Sequence, residues 1–476
     1  MGQPGRQPLS AADGAWWRME HPTNPMTITA VFTFAAPLPF AALAELLAEK
    51  LVARHRRFRQ RVVDGGGTGG AYWEDDPGFA LEAHLVATEL PPGAGHEALQ
   101  TLVSELMSTP LPPDRAPWQF HVIERYQGAT ALVARVHHAM GDGLSLVQVL
   151  LQLADPPAPG EEEATAADPA VDAGGSRRRR GRGAMAQLGA VVSPGRVLAG
   201  ARVGGGFAAT VARLLDLRAD ARTPLRGALG VEKRAAWSQP IPLDLIKRIG
   251  QGVGGTLNDV LLSAVAGAIR LYLHGRGHAP DDGLTVHAVV PVNLRRADDL
   301  DSLGNKFGMV FLPLPVGEPH PIARLRATKR AMDRLKRSPE AVVIFGILRA
   351  LGRTTATAIE TAVNLLGRKA TAVMTNVPGP RALVRFRGVA IADMMFWVPQ
   401  SGKLGLGVSI LSYAGQVRIG VASDAGLVPD PQAIVRAFHA ALEELLAHAP
   451  LAAGGHAPPS TADRIAAARA IAQHPS

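Results

Sequence analysis

Two hydrophobic periods alternate along the chain, and the switches between them mark out its elements. QFHVIERY (119–126) and ATALVARV (129–136) alternate roughly as strands around Gln127-Gly128, a hairpin signal. After Gly143 the segment LSLVQVLLQL carries apolar positions at helical spacing, so a strand ends, a tight loop follows and a helix begins. Farther on, helical stretches at 257–274, 321–336 and 431–447 alternate with the strand-like runs TVHAVVPV, GMVFLPLPV, LGLGVSILSY and QVRIGVASD. This pattern predicts a mixed α/β fold. No internal repeat shows at a period of roughly 20–50 residues.

The pattern fails over residues 156–183, PPAPGEEEATAADPAVDAGGSRRRRGRG, where Pro, Ala, Gly and blocks of like charge read as an extended linker. The chain has 476 residues, enough for two domains of ordinary size. The expected division is 1–155, a linker over 156–222, and 223–476. Within the linker, residues 184–222 set Leu and Val among Arg. They read either as a basic amphipathic segment lying on a membrane or as a pair of helices packed on the protein.

Composition then narrows the chemistry. Hydrophobic residues make up 47% and charged residues 19%, which is globular composition. There is no cysteine, so disulfides, thiolate nucleophiles and thiolate-ligated metals are excluded. The formal net charge of +9 invites anionic partners, although much of the excess sits in the linker. No aromatics interleave RRRRGRG (177–183), so nucleic acid is not an expected partner. The opening MGQPGRQPLSAADGAWW lacks the pattern of a signal peptide, and no run of about 18 apolar residues could span a bilayer. A cytoplasmic protein with no transmembrane helix is expected.

Candidate chemistry gathers at VHHAMGDGLS, where His137, His138, Asp142 and Gly143 form H-H-x-x-x-D-G. Adjacent strand residues face opposite ways, so only one histidine can face a given cavity. Asp-Gly suits the tight turn that follows. An imidazole there could act as general base for an alcohol attacking a carbonyl, work worth roughly 10²–10⁴-fold in rate. The competing readings are a structural or surface pair. A metal site is disfavoured because the two rings diverge and no third ligand stands at regular spacing.

That heptad resembles the signature of the coenzyme A-dependent acyltransferase superfamily. Other blocks resemble bacterial wax ester synthase/diacylglycerol acyltransferases: LSAADGAWWRMEHPTNPMTI (9–28), TPLPPDRAPWQFHVIE (109–124), TLNDVLLSAVAGAIRLYL (256–273), VPVNLR (290–295), GNKFGMVFLPLPV (304–316), TNVPGP (375–380) and SYAG (412–415). The family's Pro-Leu-Trp tripeptide stands here as Ala116-Pro117-Trp118.

The resemblance implies two chloramphenicol-acetyltransferase-like domains, each a mixed sheet with flanking helices, and an active-site tunnel between them. It implies transfer of a fatty acyl group from acyl-CoA to diacylglycerol or a long-chain alcohol, with acyl-CoA as co-substrate and no resident cofactor or metal. His138 becomes the base and His137 a structural residue. Asp142 fixes the loop, with Arg295 as its candidate partner. Thr375 or Asn376 could supply an oxyanion donor across the cleft. Asn258 and Asp259 open a helix and read as its caps; Trp118 reads as core. AVVIFGILRALG (341–352) is either a buried helix or a lipid-facing surface. The lipid substrates imply peripheral attachment to the inner membrane face or lipid droplets, as monomer or homodimer. The alternatives are a condensation-type acyltransferase fed by a carrier protein and a non-catalytic lipid-droplet protein.

Overall fold

The structure is a computed structural model. It describes residues 6–65, 70–156, 218–294, 304–351, 354, 356–400 and 402–449, with 212 and 216. The charged linker, nearly all of the amphipathic segment before residue 218, and Arg295 lie outside the described residues.

The N-terminal half runs β1 (Gln7–Pro8), α1 (Ala11–Arg18), β2 (Thr27–Phe34), α2 (Phe40–Leu46), β3 (Gln60–Asp64), β4 (Ala71–Asp75), β5 (Leu85–Ala87), α3 (His96–Ser108), β6 (Trp118–Tyr126), β7 (Ala129–His137) and α4 (Gly143–Leu153). Next come β8 (Lys233–Trp237), β9 (Ile241–Pro242), α5 (Leu243–Gly252), α6 (Leu257–Gly275), β10 (Val286–Asn293), β11 (Phe307–Leu314), α7 (Pro321–Leu335), α8 (Glu340–Leu351) and α9 (Ala356–Gly367). The chain closes with β12 (Ala372–Pro378), β13 (Arg385–Phe386), β14 (Val389–Trp397), β15 (Leu406–Tyr413), β16 (Gln416–Asp424) and α10 (Pro431–His448).

The fold is mixed α/β, built on two sheets. One has the order β13-β14-β2-β7-β6-β5, and the other β11-β10-β12-β15-β16-β8 with β9 beside β16; β1, β4 and β3 form a small third sheet. The β6–β7 hairpin turns at Gln127 (φ 50°) and Gly128 (φ 78°). Both central residues are left-handed, the turn whose twist matches its strands.

The C-terminal sequence does not stay in its own sheet. After β12 the chain crosses to the N-terminal sheet, where β14 pairs antiparallel with β2, and then returns as β15. The crossing ties the sheets together, and Trp237 meets Trp397 edge-on at 5.2 Å between them.

Period-2 alternation gives the seven-stranded sheet two distinct faces. Val290, Leu312, Met374, Val408 and Ile419 enter one core together with α5, α6, α7 and α10. Val289, Phe311 and Val373 turn the other way, toward α8, and Val377 and Leu411 pack with the N-terminal core. α6 is apolar nearly all round because helices and sheet enclose it. Its Val260, Leu261, Val265 and Ile269 are fully buried, each worth about 1.5–3 kcal/mol. Gly267 permits the close approach: a Cβ there would stand 2.8 Å from Ala441 and from Arg324.

No single described helix is long and apolar enough to cross a membrane; α5 and α6 pass that test only together, across a 94° bend. α8 buries Ala341, Val343, Ile344 and Leu348 and exposes Gly346 and Arg349, so most of its apolar face is turned into the protein.

Candidate active site

The heptad falls where β7 ends. His137 is the last strand residue, His138–Met140 form a single 3₁₀ turn, and Asp142 caps α4 by accepting from the Ser145 amide at 3.0 Å. His137 Nδ1 accepts from the Ala139 amide at 3.0 Å, and its Nε2 lies 3.3 Å from Glu20 Oε2.

His138 is fixed at both main-chain groups. Its amide donates to Met26 O at 2.7 Å, and its carbonyl accepts from Asn305 Nδ2 at 2.8 Å. The ring stacks on Trp16, centroids 4.1 Å apart and planes 12° apart, with Phe307 at 5.7 Å. Only 4% of His138 is exposed, and Nδ1 has no hydrogen-bond partner among the described residues. Burial pulls the imidazole pKa down to about 4, outweighing the attraction of Asp142. The ring is therefore neutral, with a lone pair free to accept a proton.

Asp142 does not touch that ring by any hydrogen bond among the described residues. Oδ1 binds the Ser145 amide, and Oδ2 accepts from the Lys306 amide at 3.1 Å, joining the turn to the strand-entry loop of β11. Its expected partner, Arg295, lies outside the described residues.

The remaining predicted residues divide by sheet face. Thr375 is buried and shares its β12 face with Val373 and Val377, the face turned toward α8 and the N-terminal core. Asn376 faces the other way and donates to Asn258 Oδ1 in the first turn of α6. Asp259 accepts from the Thr256 amide at 2.8 Å and closes a capping box with it. Among the described residues no hydrogen bond joins Asn258, Asp259 or Asn376 to His138. Trp118 is core: its indole donates to Phe58 O at 2.9 Å and its ring stacks on His84.

Two apolar cavities lie near the turn, neither of them lined by residues 137–142. One, of about 110 Å³, lies between the six-stranded sheet and α4, lined by Ile28, Phe32, Leu132, Leu146 and Phe396 and reaching Gly143. The other, of about 50 Å³, lies between α1, α8 and α9, lined by Trp16, Met309, Phe311, Ile344 and Leu366. Among the described residues no group of three or more His, Cys, Asp or Glu side chains could hold a metal ion.

Sequence reasoning noted Asp13 and Glu20 only as part of the family-like opening block and gave no role to Trp16, Met26 or Asn305, whose contacts with His138 are remote in sequence. The one local signal was the spacing of Asp13 and Trp16, which puts both on one face of α1.

The family model described as the wax ester synthase/diacylglycerol acyltransferase catalytic domain matches residues 9–261, and the WS/DGAT C-terminal domain matches residues 303–446. The chain belongs to the wax ester synthase/diacylglycerol acyltransferase family. A putative diacylglycerol O-acyltransferase of Mycobacterium tuberculosis is 33% identical over 394 residues, covering 78% of this chain and 83% of its own. A probable diacylglycerol O-acyltransferase of the same organism, tgs1, is 27% identical over 432 residues, covering 89% and 91%. Among solved structures, the wax ester synthase/diacylglycerol acyltransferase of Marinobacter aquaeolei VT8 superposes with a TM-score of 0.67 at 23% identity, covering 93% of this chain and 99% of that one. The first condensation domain of the calcium-dependent antibiotic synthetase follows at 0.61 and 17%, covering 95% and 98%. The family makes this chain an O-acyltransferase with the two-domain fold that both structures share.

Proposed function

We propose that this chain moves a fatty acyl group from acyl-CoA to the hydroxyl of diacylglycerol, or of a long-chain alcohol, with His138 as general base. The observation that carries the reading is a buried neutral imidazole flanked by two apolar cavities, one reaching Gly143 and one walled by the Trp16 that stacks on His138. Two aliphatic chains entering from two sides bring thioester and hydroxyl together at that ring.

His138 takes the hydroxyl proton as the alcohol oxygen bonds to the thioester carbonyl carbon. The tetrahedral intermediate collapses, the carbon–sulfur bond breaks, and the imidazolium returns the proton to the departing thiolate. The transient cation gains about 0.5–2 kcal/mol from the indole face of Trp16. For the oxyanion donor we favour Thr375 over Asn376, because Thr375 lies on the β12 face turned toward the N-terminal half while Asn376 is engaged with Asn258. The names of the M. tuberculosis relatives favour diacylglycerol as acceptor. Because such substrates dissolve in membranes, the protein works at a lipid surface, and co-sedimentation with vesicles containing dioleoylglycerol tests this.

The deciding experiment follows thiol release from palmitoyl-CoA with dioleoylglycerol or hexadecanol supplied separately. Wild type is expected to release thiol only with acceptor, and His138→Ala to fall by about 10²–10⁴-fold at equal folding. Equal release by both proteins would overturn the assignment of His138.

A further inference from the structure

The main chain of His138 is held by a residue from the other half of the protein, and that residue is held in turn by a buried carboxylate. Asn305 Nδ2 donates one hydrogen to the His138 carbonyl at 2.8 Å and the other to Asp13 Oδ1 at 2.7 Å. The Asn305 main-chain amide also donates to Asp13 Oδ1, at 3.1 Å. The second oxygen, Oδ2, accepts from the Ser10 hydroxyl at 2.7 Å. Asp13 and Asn305 are 6% and 5% exposed. The next amide along the loop, Lys306 N, reaches Asp142. The loop entering β11 is therefore clamped between two carboxylates, one on each side of the histidine turn.

The arrangement is costly. Burial pushes the Asp13 carboxyl pKa up, and the bonds from Ser10 and Asn305 offset that only in part. An apolar residue would pack there without that cost, and the N-terminal helix already has Ser10 as its cap. The carboxylate instead gives Asn305 a fixed acceptor, which leaves the amide hydrogens only one orientation. One nitrogen then serves both bonds, so the register of the β11 loop and the position of the His138 main chain are set together.

We infer that Asp13 and Asn305 are positioning residues, locking the β11 loop onto the His138 carbonyl so that the imidazole is aimed at the substrate oxygen only when the two halves are docked. The inference rests on His138 being the base.

The test exchanges the two side chains. Asp13→Asn keeps an oxygen for Asn305 to bind, and the Ser10 hydroxyl can rotate to accept from the new amide. Folding should hold and kcat stay within about tenfold of wild type. Asn305→Asp sets two carboxylates against each other and turns an acceptor toward the His138 carbonyl, so both thermal midpoint and kcat should fall, kcat by at least about 100-fold with KM little changed. In the double variant, Asp13→Asn with Asn305→Asp, the new amide donates to the new carboxylate and the midpoint should recover. The His138 carbonyl still faces an acceptor, so kcat should stay low. Recovery of kcat together with the midpoint would show a merely structural clamp and overturn the inference, as would an Asn305→Asp variant of normal kcat. A second readout needs no turnover: nitrogen-15 labelling of histidines, with the His138 ring signal assigned by its loss in His138→Gln. That signal should shift in Asn305→Asp and stay shifted in the double variant; an unmoved signal counts against the inference. Should wild type show no turnover with any lipid acceptor, the base assignment fails, and the ring signal alone judges the clamp.

Discussion

The two faces of the seven-stranded sheet carry similar residues to different ends. On the face turned toward α6, Asn376 meets Asn258, and Asp259 closes a capping box with Thr256. On the face turned toward the N-terminal half, Thr375 lies buried along β12, and the loop into β11 places Asn305 and Lys306 against Asp13 and Asp142. Both regions contain a buried aspartate in the first turn of a helix, Asp142 as the N-cap of α4 and Asp259 as the third residue of a capping box behind Thr256. They differ in what else the carboxylate holds. The Asp259 carboxylate accepts from the Thr256 amide within its own turn, and its Oδ1 is buried with no hydrogen-bond partner among the described residues, whereas Asp142 joins a turn of one half to a loop of the other. The bond that spans the chain, rather than burial or charge, is what favours Asp142 over Asp259 as a residue of the proposed site.

The largest expected effect tests the sheet faces. Thr375→Val is isosteric, and if its hydroxyl stabilises the oxyanion it costs about 10²–10³ in kcat with little change in melting. The same measurement on Asn376→Ala should show kcat within threefold of wild type. A reversed result would move the oxyanion donor to the α6 face and break the contrast.

Next come the two aspartates. Asp142→Ala removes a cap and leaves the half-buried Lys306 amide without that acceptor, an expected loss of about 1–3 kcal/mol in urea unfolding. Whatever folds should also turn over at least tenfold more slowly, since the β11 loop is released. Asp259→Ala should lose about 1–2 kcal/mol with kcat retained. Equal rate defects in the two would mean that the α6 turn also supports the chemistry.

Much of this division could be read from the sequence, and the part that could not has a physical cause. The hairpin at Gln127-Gly128, the strand-to-helix switch at Gly143 and the strands around TVHAVVPV and QVRIGVASD follow from local periodicity, and the structure reproduces them within a residue or two. Thr375 and Asn376 were weighed together because a period of two says that neighbours diverge without saying which one faces the site. The roles of Asp13, Trp16 and Asn305 were missed because they depend on pairings across more than a hundred residues. The entry of β14 into the N-terminal sheet was hidden for the same reason: a strand's sequence does not name its neighbours.

The pH dependence of stability sharpens the contrast from the histidine side. His138 has a folded pKa of about 4 against an ordinary value of 6.5. Its folded value is lowered, so the unfolded chain binds the proton first, and stability falls as pH drops from 6.5 toward 4. Between pH 7 and pH 5 the wild type should lose about 2 kcal/mol through this group, a loss that His138→Gln does not suffer. Parallel pH–stability curves for the two proteins would mean that His138 is more solvated than its surroundings imply. The same low value predicts that kcat holds steady down to about pH 5, since the base stays unprotonated.

The smallest effect is a double-mutant cycle across the α6 face. Asn258→Ala and Asn376→Ala each remove one end of a single amide hydrogen bond. Each should cost about 1 kcal/mol, and the pair should cost less than the sum, leaving a coupling of about 0.5–1 kcal/mol. The rate should be nearly silent in all three variants, because this bond ties β12 to the first turn of α6 on the side of the sheet away from His138. Coupling in kcat that exceeds the coupling in stability would show the sheet transmitting the strain of a lost bond to Thr375 on its opposite face. In that case the two faces would be one mechanical unit, and the separation drawn between cap and site would hold for contacts but not for energies.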